Sequence, residues 1–486
     1  MNLGKLIENC KVVAIKGDRE AGIDSITSDS RTVMQGSLFI AVEGICTDGH
    51  AYIGKAIEQG AVAVVYDKPM IEEYFSKVTY VQVEDSAEAL ASIASEWYDN
   101  PSRKLKLVGV TGTNGKTTIA TLLYNLFRHM GYPAGLLSTV ANYVNDEKYA
   151  TTHTTLDPIS LNALLSEMVE AGCEHAFMEV SSHAIHQKRT HGLHFVGGVY
   201  TNLTQDHLDY HKNMLEYRDV KKSFFDHLPP GAFALVNSDD RNGAIMLQNT
   251  KASKKTYSVK GMADFKARVF EKHFDGTDIE INGKELAVRF VGLFNVYNLL
   301  AVYGAAILLG LDEEEVPRVL TLLRPVAGRF ETIRSSNDIT AIVDYAHTPD
   351  ALTNVLEAIH EVLESRGNVL TVVGCGGNRD RTKRPLMALE AVNLSDRAIL
   401  TSDNPRFEEP EAILQDMLDG LNEEQKRETL AITDRREAIK TACLLAKPGD
   451  VILIAGKGHE DYQEVKGVKH HFDDKEEVQK IFDSMI

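Results

Sequence analysis

The sequence is poor in cysteine. Cys10, Cys46, Cys173, Cys375 and Cys443 are scattered over 486 residues with no CxxC pair. An odd, dispersed set reads as reduced thiols and argues against a disulfide-stapled scaffold. Long apolar runs are also missing. The longest stretch, near Tyr297 to Leu309, is shorter than the ~20 residues of a membrane span. The opening MNLGKLIENC lacks the apolar core of a signal peptide. There is no excess of positive charge: 52 Lys and Arg against 70 Asp and Glu give a formal net charge of −18. That argues against general nucleic-acid binding, which needs a basic surface. It leaves phosphate ligands open, because they need only a nest of N–H groups and a few cations. No sequence repeat and no low-complexity tract stand out. These absences predict a cytoplasmic protein with no membrane span and no nucleic-acid partner.

What is present is ordinary for a globular chain, with 43% hydrophobic and 25% charged residues. The length predicts about three domains. Residues 1 to about 100 mix short strands (SLFIAVEG, AVAVVYD, VTYVQVED) with glycine turns, then a helix from Ser86 to Tyr98. DNPSRK (99–104) reads as a linker. From LKLVGV (105–110) onward, strand and helix patterns alternate through HAFMEVSS, VGGVYTN and FALVNSD. Such alternation predicts a mostly parallel sheet with helices on both faces. A polar, strand-rich stretch at about 254–293 precedes the helix FNVYNLLAVYGAAILLG. After LRPVAGRFE the pattern restarts with ITAIVDYAH, NVLTVVGCG, RAILTSD and DVILIAGKG, a second doubly wound unit.

GVTGTNGKTT (109–118) lies between a strand and a helix. A glycine loop there lets successive backbone N–H groups face phosphate oxygens, with the helix N-terminus adding positive potential. Lys116 suits the β- and γ-phosphates, and the Thr117 hydroxyl suits Mg²⁺. The spacing is not the strict GxxxxGK[ST], and a chance glycine turn is the alternative; the flanking strand and helix favour the phosphate loop. Glu179 ends the strand AFMEV, and His207 lies in TNLTQDHLDYH. Both follow strands of the same sheet, which suits them to Mg²⁺ beside the loop. Alone, either residue would be read as a surface or capping group. His183, His186, His191 and His194 mimic paired HxxH motifs, but no acidic residue or Cys completes a site. A polar helix and loop over a substrate cleft is the preferred reading.

In TSDNPRFEEP (401–410), Arg406 stands among Asp403, Glu408 and Glu409. Pro405 has no N–H for a ladder and stops the strand before it. Arg406 thus sits beyond a strand's carboxyl end, where open α/β sheets bind ligands. The alternative is a solvated loop on which Arg406 pairs with Glu408 or Glu409.

In order, the chain carries GTNGKTT, MEVSSHA, TNLTQDHLDYH, GLFNVYN, AGRFE, DYAHTPDAL, GCGGNRDRTKRPLM, SDNPRFEEP and AGKGHEDYQ. Together these closely resemble the Mur ligase family over nearly the whole chain, least before residue 25 and at about 240–285. The resemblance implies an α/β protein of three domains. These are an N-terminal UDP-binding domain (1–100), a central P-loop-type ATPase domain with a mostly parallel sheet (101–328) and a C-terminal Rossmann-like, amino-acid-binding domain (329–486). It also implies roles. Gly112, Thr113, Asn114, Gly115, Lys116, Thr117 and Thr118 would cradle ATP, with Asn295 and Asn298 at the adenine end, Arg329 at the γ-phosphate and Asp344 at the ribose. His347, beside Asp344 in the DYAH turn, also suits nucleotide contact. Ser30 and Arg31, with the loop GICTDGH, would meet the uridine diphosphate; Thr154, Thr155, Ser181, Gln187 and Arg189 would hold the muramoyl-dipeptide. Arg379, Asp403, Asn404, Arg406, Gly456 and Glu460 would take the incoming amino acid. Family members with DNPR at this place add diaminopimelate.

The implied reaction is ATP-dependent ligation of meso-2,6-diaminopimelate to UDP-N-acetylmuramoyl-L-alanyl-D-glutamate through an acyl phosphate, in peptidoglycan precursor synthesis, by a monomer. Its approaching anions need cations, which Lys116, Arg329 and two Mg²⁺ on Thr117, Glu179 and His207 would supply. Lys221 matches, by spacing from HLDYH, a family lysine carried as the N6-carboxy derivative; without the resemblance it would be read as a surface lysine. Catalysis would then rest on Lys116, Lys221, Arg329 and His207. Domain closure would exclude water, with hinges near 99–104 and 325–330. A folylpolyglutamate synthetase-like ligase shares the loop but lacks the first 100 residues; a lysine-adding ligase is the nearer alternative. A GTPase switch would need an NKxD motif, which the sequence lacks.

Overall fold

The computed structural model describes residues 1–44, 47–69, 77–149, 151, 154–363 and 366–485. Within them, three large sheets form, each from its own stretch of chain. The first runs in the order Val12–Lys16, Thr79–Val83, Ala61–Tyr66, Ser37–Ile40, Ser25–Thr27 and is parallel apart from its first strand. The helix Ser86–Trp97 closes one face, started by Asp85, whose carboxylate accepts the N–H groups of Ala87 and Glu88.

The central sheet has eleven strands. Ala134–Leu137, His175–Glu179, Lys106–Thr111, Gly197–Tyr200, Phe233–Asn237 and Ser253–Ser258 lie side by side and parallel. Helices cover both faces, so the inner strands read as unbroken apolar runs. Both edges depart from the parallel expectation. Phe265–His273, Gly276–Ile281 and Lys284–Val288 form antiparallel hairpins, as do Asn142–Val144 and Glu147–Tyr149. Their connections are too short for a crossover, and only antiparallel pairing remains. At the tip after Ile281, Asn282 and Gly283 both take positive φ, 46° and 84°, the geometry a two-residue hairpin loop requires.

The third sheet runs Glu331–Arg334, Thr340–Asp344, Val451–Ala455, Val369–Cys375, Arg397–Ser402, Leu430–Ala431, with only the first strand antiparallel. A separate hairpin, Tyr462–Val465 with Val468–His471, leans on the loop that follows Ser402 through a bridge between Arg406 and Val465. Beneath this region Arg435 and Asp474 form a fully buried pair, with Nη2–Oδ2 at 2.6 Å and Nε–Oδ1 at 2.7 Å. Removing one partner would strand the other charge. Asp474→Asn should therefore cost about 3–5 kcal/mol of stability in urea titrations; an unchanged midpoint would contradict this.

The segment expected as a linker, 99–104, is packed instead. Pro101–Arg103 forms a 3₁₀ turn, and Ser102 is buried, its Oγ accepting the N–H of His194 at 3.0 Å. Pro101 favours such a start because its fixed φ suits the first position of a helical turn. Among the described residues no helix is long and apolar enough to cross a membrane.

Candidate active site

The strand Lys106–Thr111 lies between His175–Glu179 and Gly197–Tyr200, with Val110 paired to both Glu179 and Val199. Three strand ends therefore open at one level. The chain leaves the middle strand through Gly112 at φ 148° and enters the helix Lys116–His129 through Gly115 at φ 90°. Neither position tolerates a side chain. A Cβ on Gly112 would stand 1.8 Å from Thr201 Oγ1, and one on Gly115 2.6 Å from Asn298 Oδ1. The segment after Tyr200 pins the loop: Thr113 N donates to Asn202 O at 2.8 Å and Asn114 N to Asn202 Oδ1 at 2.9 Å.

Two lysines converge here. Lys116 Nζ donates to Gly112 O at 3.1 Å and Thr113 O at 2.8 Å, while Lys221 Nζ donates to Gly112 O at 2.8 Å. Lys221 is 1% exposed and lies over the Tyr217 ring, so the reading of a surface lysine does not hold. Burial, then the neighbouring Lys116 charge, drives the Lys221 ammonium well below its ordinary pKa. Burial also lowers Lys116, against the pull of Glu179 and Asp206. Its neighbour Lys222 is bound differently, to Asp226 at 2.7 Å one turn along the helix.

Glu179 joins the nucleotide and dipeptide candidates. Its Oε2 accepts from Thr117 Oγ1 at 2.9 Å and its Oε1 from Thr139 N at 2.7 Å. Thr139 Oγ1 donates to Thr154 Oγ1 at 3.1 Å, and Thr155 Oγ1 to Glu179 O at 2.8 Å. Arg189 donates to Thr155 O at 2.7 Å and to Gln187 Oε1 at 2.6 Å, and Ser181 caps the helix Ser182–His186 next door. Thr154, Thr155, Ser181, Gln187 and Arg189 thus form one cluster against Glu179. Arg329 reaches in from beyond the central sheet, its Nη2 3.2 Å from Thr117 Oγ1 and its guanidinium over the Tyr345 ring.

His207 has φ 56° and packs edge-on against His183. Burial holds its pKa down to about 3 and that of His183 to about 4, so both imidazoles are neutral near pH 7. The donor types suit a hard cation: Thr117 and Glu179 offer a hydroxyl and a carboxylate within hydrogen-bond reach of each other, and His207 a neutral imidazole. Lys221 as an ammonium cannot ligate a cation. The HxxH stretch forms the short helix Ser182–His186 and a turn, as the sequence suggested.

Asn295 and Asn298 are buried on the helix Leu293–Leu308, Asn298 behind the phosphate loop and bonded to Asn295 at 3.2 Å. Asp344 is buried, with Oδ2 accepting the N–H of Phe330 at 2.6 Å, and burial raises its pKa. That bond fixes the turn before the third sheet. Thr118 is buried in the first turn of the phosphate helix. In the N-terminal domain Ser30 is buried, whereas Arg31 is exposed and forked onto Asp29 at 2.7 Å. A cavity of about 400 Å³ lined by Thr27, Asp29, Asp157 and Ser160 lies beside them, between the first two domains. Of GICTDGH, Ile45 and Cys46 lie outside the described residues.

In the C-terminal domain Arg406 takes φ 53°, and its Nη1 donates to Gly377 O at 2.8 Å. It does not pair with Glu408 or Glu409. Glu408 belongs to the buried Arg384, at 2.8 Å, and Glu409 to Lys466. The carboxylate facing Arg406 is that of Glu464, 3.5 Å from Nε. Asn404 Nδ2 donates to Glu460 Oε2 at 2.7 Å, and the fully buried Lys457 lies 3.3 Å from the same oxygen. A Cβ on Gly456, at φ 114°, would stand 2.8 Å from Asp403 Oδ2. Arg379 is exposed beside Gly376, facing His183 electrostatically. Arg379 and Arg406 thus both approach Gly376, and Asp403, Glu460 and Glu464 lie near Arg406 around Tyr462, so groups of both signs gather here.

Sequence reasoning missed Asp206, Lys383 and Thr139. Asp206 and Lys383 stood inside quoted motifs; Thr139 acts through a backbone N–H, for which no side-chain signature exists.

This is the architecture of a nucleotide-dependent ligase: a glycine loop between strand and helix in the middle of the chain, with a further α/β unit before it and after it. Family models match in the same order: the Mur ligase family catalytic domain over 22–98, the Mur ligase middle domain over 110–306 and the Mur ligase glutamate ligase domain over 328–458. The chain belongs to the Mur ligase family. It is 62% identical over 483 residues to the UDP-N-acetylmuramoyl-L-alanyl-D-glutamate–2,6-diaminopimelate ligase of Parabacteroides distasonis, covering 99% of each chain. Identity to the enzyme of that name from Bacteroides fragilis is 58% over 482 residues, again 99% of each. Among solved structures, one of a ligase of the same name matches with TM-score 0.69 and 32% identity, over 100% of this chain and 99% of that one.

Proposed function

We propose that the protein ligates meso-2,6-diaminopimelate to UDP-N-acetylmuramoyl-L-alanyl-D-glutamate at the expense of ATP, in peptidoglycan precursor synthesis. The observation that carries this is the convergence of Lys116, Arg329 and the Thr154–Arg189 cluster on one edge of the phosphate loop. A substrate carboxylate held by that cluster attacks the γ-phosphorus, an O–P bond forms, the bridging bond breaks and ADP leaves. The amine nitrogen then attacks the acyl carbon. The C–N bond forms, the bond from carbon to the phosphate oxygen breaks, phosphate departs and the amine gives up its proton. Lys116 and Arg329 neutralise the approaching anions. Mg²⁺ held by Thr117, Glu179 and His207 would add charge neutralisation at the phosphate oxygens. Neutral Lys221 is suited to add carbon dioxide, forming an N–C bond and releasing a proton, and so to become an anion beside that ion. The N-terminal cavity near Ser30 is the place for the uridine diphosphate. The four described cysteines are free thiols, which fits a reducing compartment such as the cytoplasm; the working form is taken to be a monomer.

Arg406 decides between diaminopimelate and lysine. Lysine lacks the far carboxylate, and with lysine bound the guanidinium would keep only Gly377 O and Glu464 as partners and lose the one the ligand supplies. A site built around such a bond rejects the analogue lacking it by roughly 10⁴-fold. Arg406→Ala should lose most diaminopimelate activity and narrow that preference while nucleotide affinity holds, as read from steady-state rates with each amino acid and from nucleotide titration. Undiminished selectivity in the mutant would overturn the assignment and favour the lysine-adding reading. A folylpolyglutamate synthetase-like activity leaves the N-terminal sheet without a role.

A further inference from the structure

Asp206 is a carboxylate of the central domain whose charge is met from the C-terminal domain. It is 6% exposed. Its Oδ1 accepts the N–H of His207 at 2.9 Å, and its Oδ2 lies 3.4 Å from His207 Nε2. From across the interface, Lys383 Nζ approaches Oδ1 at 3.8 Å and His347 Nε2 approaches Oδ2 at 3.9 Å. Lys383 opens the helix Lys383–Asn393 and is itself buried. The next residue, Arg384, is fully buried and turns to the other side. It holds Glu408 at 2.8 Å, Asp416 at 2.8 Å and the Gly376 carbonyl at 3.2 Å. Two consecutive residues therefore grip the two sites, one at the phosphate loop and one at the loop that carries Arg406. Parallel contacts run from Gln205 Nε2 to Thr382 Oγ1 at 3.3 Å and from Asn114 Nδ2 to Asp350 Oδ2 at 3.0 Å.

We propose that Asp206 and Lys383 are a positioning pair that couples closure of the C-terminal domain on the phosphate loop to order in the amino-acid loop. The pair deepens the ligase reading and rests on it for the identity of the amino acid. Each charge alone is costly to bury, and removing either leaves the other uncompensated. The two are buried together only when the domains meet. Arg384 ties Lys383 to Glu408, so a settled amino-acid loop presents Lys383 correctly to Asp206. By linkage, nucleotide at the phosphate loop raises affinity for the amino acid, and the amino acid raises affinity for nucleotide by the same factor.

Small-angle X-ray scattering of the full chain, with and without a non-hydrolysable ATP analogue, reads closure without any ligation. Wild type should compact with the analogue. Asp206→Asn and Lys383→Met should each stay extended, the double variant should match a single one, and Lys383→Arg should compact. Calorimetry with meso-diaminopimelate supplies a readout that a structural lesion would not give. In the presence of analogue each single variant should bind about tenfold more weakly than wild type; without it, equally well. Single variants that compact normally, a wild type that does not compact, or equal weakening with and without analogue would each overturn the coupling. A wild type that compacts while the single variants do not, yet binds no diaminopimelate, would sink the ligase reading and uphold the closure pair.

Discussion

Lys116→Ala should lower the rate of phosphate release by roughly 10³-fold or more while the protein stays folded. The basis is charge placed before the reaction begins. Lys116 Nζ is held 2.8 Å from Thr113 O and 3.1 Å from Gly112 O, at the mouth of a loop whose glycines admit backbone N–H groups to a phosphate. Removing one fixed donor from such a site costs about 10²–10³ in rate, and Lys116 as an ammonium facing phosphate would add charge besides. Alanine is the best helix former, so the first turn of Lys116–His129 survives and thermal melting should barely shift. A folded mutant with near-normal phosphate release would mean that another group carries the charge.

Lys221→Ala should abolish ligation, whereas Lys222→Ala should be mild. The two are neighbours on the helix Met214–Asp226 and differ in surroundings. Lys221 faces inward, with Gly112 O as its partner and burial pressing it toward the neutral amine. A neutral amine adds carbon dioxide; an ammonium does not. Lys222 faces Asp226 across one helical turn, a pair worth about 0.3–0.5 kcal/mol. Turnover at several bicarbonate concentrations separates the roles: Lys222→Ala should follow wild type, and Lys221→Ala should stay inactive at all of them. Equal, small losses from both substitutions would end the carbamate proposal.

The sequence made the phosphate loop legible because its glycines, lysine and threonine must be contiguous for one strand-to-helix turn. It made Arg406 legible because Pro405 marks a strand's end, and the strand Arg397–Ser402 does stop before it. What held Arg406 was not legible. Its neighbours in sequence, Glu408 and Glu409, are bound elsewhere, and its backbone is paired instead with Val465, 59 positions away. Asp206 and Lys383 escaped for a related reason. Each reads as a surface charge until two domains meet, and no local pattern announces an interface. The packed turn at 99–104 has linker composition, yet Ser102 finds a long-range hydrogen bond. The antiparallel edges of the central sheet follow from loop length, which an alternation of strand and helix patterns does not weigh.

The central claim is that the site joins a two-carboxylate amino acid to a nucleotide-linked dipeptide. Its most direct measurement is phosphate release by the wild-type chain with ATP and Mg²⁺. Each of UDP-N-acetylmuramoyl-L-alanyl-D-glutamate, meso-diaminopimelate and lysine is added or withheld in turn. The account predicts sustained release only when the UDP-linked dipeptide and meso-diaminopimelate are both present, with lysine supporting a rate lower by roughly 10⁴-fold. Release that is independent of the UDP-linked dipeptide, or as fast with lysine as with meso-diaminopimelate, would contradict it.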